Sequence, residues 1–199
     1  MLTIGIELNH VVRNINRQIL KNYAKEFDPS LEWEDLDDKV DIFNKYLKFE
    51  SKHQKNNFIY IDYPFEIFGA CPAIEKNLPR DINNWLAEIE NIEDEEIRII
   101  FYSLDEVALT IQSTYFFLSK IGSRVRKVNF PKNLDEVWNE CDVVITARNE
   151  FFEKNKPEGK KIVLINREFN NIHKDEADFN YNSLSDIIKD NNFFKNIKG

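Results

Sequence analysis

Four apolar runs in the second half of the chain, IRIIFY (97–102), RVRKVNF (124–130), CDVVIT (141–146) and KKIVLIN (160–166), are each separated from the next by one segment of helical character. Short apolar strands alternating with single helices specify a parallel sheet, because every connection must carry the chain back to the same end of the sheet. Such crossovers are right-handed and place helices on the sheet faces. An earlier run, TIGIEL (3–8), has the same character. The chain therefore predicts an α/β fold, a three-layer Rossmann-like parallel sheet.

The first of these runs stands about ninety residues ahead of the others. Residues 10–95 thus read as a mainly helical cap inserted after strand one, with 1–9 and 96–199 forming the α/β core. Val11, Ile15, Ile19 and Tyr23 recur at helical spacing, Asn9 is a fitting N-cap for a helix over 10–25, and Asp28-Pro-Ser30 breaks it. Trp33, Leu36, Val40, Phe43 and Leu47, at steps of three and four, predict a long amphipathic helix. The aromatic-rich stretch that follows carries a short strand at 58–61, and Asp81 caps a helix showing Ile82, Trp85, Leu86 and Ile89. Residues 103–122 read as a helix ended by Gly122, with Ser103 and Glu106 as a capping box; Asn133 with Glu136 repeats that pattern. Further helices are expected around 150–154 and over 183–190, and EDEE (93–96) reads as a solvated acidic turn.

Hydrophobic content of 42% with 16 Phe and 3 Trp is ample for a core. A net charge of −8 argues against a broad nucleic-acid interface, which needs a basic face. The compact basic stretch Arg124-Val-Arg-Lys127 alternates like an exposed strand face. Cys71 and Cys141 form no C-x-x-C pattern, and His10, His53 and His173 have no ligand spacing, so they read as packing or surface residues in a reducing compartment, with no metal site. The chain starts directly in a patterned strand and holds no apolar run near the roughly 20 residues of a membrane span. The expectation is a cytoplasmic protein away from membranes. Few Gly with abundant Lys, Asn, Phe and Ile suggests an AT-rich bacterial or phage genome, and hence virion association as a second location.

In an open parallel sheet, ligands bind beyond the carboxyl ends of the strands. That rule selects Glu7–Asn9, Ser103, the neighbourhood of Lys132, and Thr146–Asn149. In that order these four places resemble the four motifs of the haloacid dehalogenase-like (HAD) superfamily, closest to its 5′(3′)-deoxyribonucleotidase-like branch. IGIELNHVVR resembles the nucleophile strand end, IIFYS the second motif, Lys132 in FPKN the third, fourteen residues before Thr146, and DVVITAR the acidic fourth. The resemblance implies an aspartate nucleophile, a second aspartate as general acid/base, Mg²⁺ held by carboxylates, and Ser103 and Lys132 on a phosphoryl group.

The carboxylates that chemistry needs are missing here. Glu7 at the nucleophile position is one methylene too long, displacing the attacking oxygen by about 1 Å, a misplacement that can cost about a hundredfold. Asn9 at the acid/base position has no usable pKa. Thr146 and Ala147 stand where the acidic pair is expected; Asp142 lies too far back along its strand, and Glu150 is the nearby carboxylate that could reach in. Glu7 itself must be hydrated or paired, with Lys132 or Arg13 as candidate partners.

The leading expectation is a catalytically degenerate HAD-like protein acting as a binding, structural or assembly module. It would have no cofactor and would engage a protein partner or further copies of itself, through aromatic surface near 58–71 or the C-terminal NNFFKNIKG. The alternatives are an active Mg²⁺-dependent 5′-nucleotidase-like phosphohydrolase and a non-catalytic nucleotide or phosphate sensor.

Overall fold

In the computed structural model, which describes residues 1–90, 97–104 and 106–198, six strands form one all-parallel sheet. They are β1 (Leu2–Glu7), β2 (Ile97–Tyr102), β3 (Val128–Asn129), β4 (Val143–Thr146), β5 (Lys161–Ile165) and β6 (Phe179–Tyr181), in the spatial order β3-β2-β1-β4-β5-β6. β1 is central: Glu7 is in register with Tyr102 on one side, and Ile6 with Ile145 on the other. The chain reverses its direction of travel across the sheet at β1 and β4, which opens a crevice at their carboxyl ends.

The helices are α1 (Ile15–Glu26), α2 (Ile42–Lys45), α3 (Lys52–Asn57), α4 (Leu78–Glu90), α5 (Ala108–Lys120), α6 (Leu134–Glu140), α7 (Leu184–Lys189) and α8 (Phe193–Lys198). Alternate strand residues face opposite layers. Ile4, Ile6, Phe101, Val143, Ile145 and Val163 join the large apolar cluster with residues of α1, α4, α5, α7 and α8. Ile100, Tyr102, Val144 and Ile162 face the smaller cluster made with α6 and Phe151. The result is the expected three-layer α/β sandwich. The mainly helical stretch between β1 and β2 shares the larger cluster through Val40, Ile42, Phe58 and Ile67.

Several local expectations are corrected. The helix predicted from Trp33 to Leu47 breaks into a 3₁₀ turn (Trp33–Asp35) and the single turn α2, because aspartates compete for the backbone: Asp37 accepts from the Lys39 amide and Asp41 from those of Phe43 and Asn44. The expected strand at 58–61 is instead a π-helical turn, Phe58–Asp62, which continues α3 and buries Phe58 and Ile59; a second one follows at Phe65–Ala70. α1 starts at Ile15 behind an Asn14 cap, not behind Asn9, since residues 9–13 form a tight turn instead. α4 starts at Leu78, which puts Asp81 in its first turn. α5 starts at Ala108, with the Thr110 hydroxyl accepting the Val107 amide, so Ser103 and Glu106 do not cap it.

Asn133 does cap α6, by accepting the Glu136 amide. Of RVRKVNF only Val128–Asn129 pair as strand, and the helix expected at 150–154 is a 3₁₀ turn, Asn149–Phe151. β6 and α8 are additional elements that carried no apolar run or periodicity long enough to stand out. The acidic turn expected at 93–96 lies outside the described residues. Among those described, no helix is long and apolar enough to cross a membrane.

Gly5 lies at a close approach in the middle of β1. A Cβ there would lie 2.5 Å from Cys141 Sγ and 3.2 Å from the Tyr102 ring. Gly5→Ala is expected to cost about 1–3 kcal/mol in urea unfolding, as other overpacked cores do, and Cys141→Ala in the same chain to recover part of it.

Candidate functional site

The crevice at the carboxyl ends of β1, β2 and β4 is where the sequence placed its candidates, and Glu7, Asn9, Ser103 and Thr146 do converge there, all buried. They are engaged with two arginines. Glu7 is fully buried at the end of β1. Its Oε2 accepts from the Thr146 hydroxyl at 2.6 Å and the Ala147 amide at 3.3 Å, while Arg148 Nε donates to Oε1. The partner of Glu7 is therefore Arg148, not Lys132 or Arg13. Burial raises the Glu7 carboxyl above its ordinary value, an effect that Arg148, the Thr146 hydroxyl and the Ala147 amide offset only in part.

Arg13 sits on the other side of the β1 end, with no exposed surface at all. Val12 and Arg13 amides both return to the Leu8 carbonyl, a tight turn that swings the Arg13 side chain inward over the strand ends. Its Nε donates to Asn9 Oδ1 at 2.7 Å. Nη1 donates to the Phe68 carbonyl at 2.9 Å and to Thr114 Oγ1 at 2.6 Å. Nη2 donates to Ser103 Oγ at 3.1 Å and pairs with Glu106, whose side chain is also fully buried. The Ser103 hydroxyl donates to the same carboxylate at 2.7 Å. Asn9 and Ser103 are thus hydrogen-bond partners of Arg13, not helix caps.

Lys132 lies on the rim. Its side chain is exposed, its amide donates to Glu136 Oε2 at 2.9 Å, and no hydrogen bond or ion pair joins its ammonium to Glu7 or Ser103. Glu150 lies 3.3 Å from Arg148 Nη1 with its side chain 51% exposed. A divalent cation needs several converging oxygen ligands. Here Glu7 is spoken for by Arg148, Thr146 donates rather than coordinates, and Ala147 has no side-chain ligand, so the residues do not fit a resident Mg²⁺. Among the described residues no group of three or more His, Cys, Asp or Glu is placed to hold a metal ion.

The remaining polar groups brace this network. Asn170, fully buried, donates to the Ala147 and Ile165 carbonyls at 3.0 and 2.9 Å and accepts the Arg167 amide at 2.8 Å. Arg167 Nη2 reaches the His10 carbonyl at 2.7 Å. His10 adopts φ 64°, the left-handed region, and its ring meets Phe169 edge-on at 5.8 Å. Desolvation, helped by Arg148, Arg167 and Arg13, pushes the His10 imidazole down to about 3, so it is neutral near pH 7. In front of these groups lies a cleft of about 340 Å³, floored by Asn9, His10 and Arg148 and walled by Phe43, Tyr60 and Phe169. Lys55 Nζ stands over the Phe43 ring, 3.5 Å from its centroid.

Arg148 lies within the selected stretch Thr146–Asn149 but was given no role there, and Glu106, Thr114 and Asn170 were not among the residues the sequence singled out for the site. Their signal was faint: an arginine two residues past a strand end, and polar residues whose partners are distant in sequence. Comparison of the chain with family models and with curated proteins finds no match.

Two outcomes follow. Arg13→Ala leaves the buried Glu106 carboxylate unpaired and is expected to cost about 3–5 kcal/mol in urea unfolding, of which Arg13→Met with Glu106→Gln recovers a large part. His10 has a folded value near 3 against 6.5 when unfolded, so it contributes stability above pH 6.5 that is lost as pH falls toward 3. His10→Asn, which tolerates the left-handed backbone, is expected to flatten the acid limb of Tm against pH between 6.5 and 4 and leave the neutral plateau in place.

Proposed function

We propose that the chain is a catalytically degenerate HAD-like protein that works as a binding or assembly module. The observation that carries this reading is the commitment of both Glu7 oxygens to Arg148, Thr146 and the Ala147 amide. A nucleophile needs a free oxygen aimed at the electrophile within about 3–3.5 Å, and a fully buried carboxylate locked in an ion pair offers none. The acid/base role has no bearer either: Asn9 cannot shuttle a proton, and its carbonyl oxygen is held by Arg13. Ser103, which the resemblance assigns to a phosphoryl group, is spent on Arg13 and Glu106.

A second reading, a non-catalytic nucleotide or phosphate sensor, is favoured by the cleft itself, whose lining sets the Lys55 cation beside the aromatic side chains Phe43, Tyr60 and Phe169. A cavity of this size is at the small end of ordinary ligand sites.

The discriminating experiment is turnover of p-nitrophenyl phosphate and of a panel of nucleoside monophosphates with Mg²⁺. The expected result is no turnover above the blank, for the native chain and for Glu7→Gln alike. Mg²⁺-dependent turnover that Glu7→Gln abolishes overturns the proposal. In a thermal-shift series on the same compounds, concentration-dependent stabilisation without turnover selects the sensor reading over a pure assembly role.

A further inference from the structure

Helix α5 has no charged residue from Ala108 to Ser119, in a chain that is 31% charged. An amphipathic helix on a Rossmann-like sheet buries one stripe and shows the other to water. α5 buries Thr110, Ser113, Thr114, Phe117 and Leu118, yet its outer side is also apolar. Leu109, Tyr115 and Phe116 there, with Val107 at its entry and Ile61 and Phe65 on the neighbouring π-helical turns, are each between 46% and 62% exposed.

We infer that this face is the self-association surface of the chain, where two copies pair across a two-fold axis with their α5 helices antiparallel. The surface is preformed. The Phe65 and Phe116 rings meet at 4.9 Å, and a Cβ at Gly69 would lie 3.0 Å from the Ser113 carbonyl, so the two helical segments pack backbone to backbone. Lys120 ties the end of α5 down by donating to the Gly69, Ala70 and Cys71 carbonyls. Six large side chains at these exposures present on the order of 600 Å² in one region, approaching the roughly 800 Å² per partner of a stable interface.

Charge and symmetry select a second copy as the occupant. Each copy carries −8, so copies repel over most of their surfaces, and the outer side of α5, uncharged from Ala108 to Ser119, is where that repulsion is weak. A two-fold contact is isologous and requires a self-complementary patch. Leu109 and Phe116 lie seven residues apart on one stripe, equidistant from the 112–113 midpoint. An axis there sets Leu109 of one copy against Phe116 of the other, twice. It also brings the two Gln112 side chains beside the axis, offset by one residue, and an amide is both donor and acceptor. The C-terminal aromatics do not compete for this role, because Phe193 is buried and Phe194 stacks on Trp85.

The test is the mass of the full chain by analytical ultracentrifugation over roughly 1–100 µM, the range in which a standard-size interface associates. The expected species is a dimer of about 47 kDa, twice 23.7 kDa. Phe116→Asp is expected to weaken association more than about tenfold, as loss of a central aromatic anchor does, with an unchanged circular dichroism spectrum. Gln112→Cys is expected to yield a disulfide-linked dimer on mild oxidation; the native Cys71 and Cys141 are buried and give no such background. A native chain that stays monomeric throughout the range overturns the inference and assigns the face to a different protein or a lipid surface. A dimer that neither loses affinity in Phe116→Asp nor cross-links through Gln112→Cys overturns it as well. None of these readouts depends on turnover, so the inference stands or falls separately from the catalytic reading.

Discussion

The buried Arg13 guanidinium is the interaction on which the strand-end region depends. A charge with no exposed surface is costly to bury and persists only where its donors are met. Arg13 meets that condition by spanning elements distant in sequence: the turn after β1 through Asn9, the second π-helical turn through Phe68, the end of β2 through Ser103 and Glu106, and α5 through Thr114. Lysine could not replace it. An ammonium has three donors on a point charge, whereas the planar fork of arginine reaches several acceptors in one plane at once. The segment between β1 and β2 is thereby tied to the sheet by a polar bolt as well as by apolar packing.

Glu7 and Arg148 form a second bolt on the other flank of β1, across the point where the strand order reverses. Their contact links positions 141 residues apart, and so fixes β1 against the loop that leaves β4. Removing one partner would strand a charge in a dry environment, which makes the pair strongly interdependent. Burial keeps His10 neutral, and the nearby Arg148, Arg167 and Arg13 cations add to that effect. Electrostatics at the strand ends is thus organised around guanidinium groups, where a phosphoryl-transfer site would be organised around carboxylates and a metal.

The sheet was legible in the sequence because parallel strands are buried on both faces and read as continuous apolar runs. β1, β2, β4 and β5 all announce themselves in this way. β6 does not: its three residues, Phe179–Tyr181, sit at the edge with the middle one exposed, leaving no run to see. Trp33 to Leu47 misled through a true period. The apolar residues are spaced for a helix, but the aspartates between them hydrogen-bond the backbone locally and break it. For the site, the rule that ligands gather beyond strand ends found Glu7, Asn9 and Ser103, which do converge. It could not supply Arg148 or Glu106 as partners, because pairing between loop residues is set by the assembled topology and by no local pattern.

The closure of the strand ends also changes where binding energy could come from. In an open crevice, unpaired backbone amides and carbonyls at the sheet end are the groups that hold a ligand. Here the Ala147 amide is taken by Glu7, and the Ala147 and Ile165 carbonyls by Asn170. Side chains of the protein itself satisfy the groups a phosphoryl oxygen would otherwise use. To displace them a ligand would have to break a buried ion pair, at a cost comparable to the whole affinity of a weak complex. Apolar surface that is not tied into the arginine network lies further out, in the aromatic wall formed by Phe43, Tyr60 and Phe169 and on the uncharged outer face of α5.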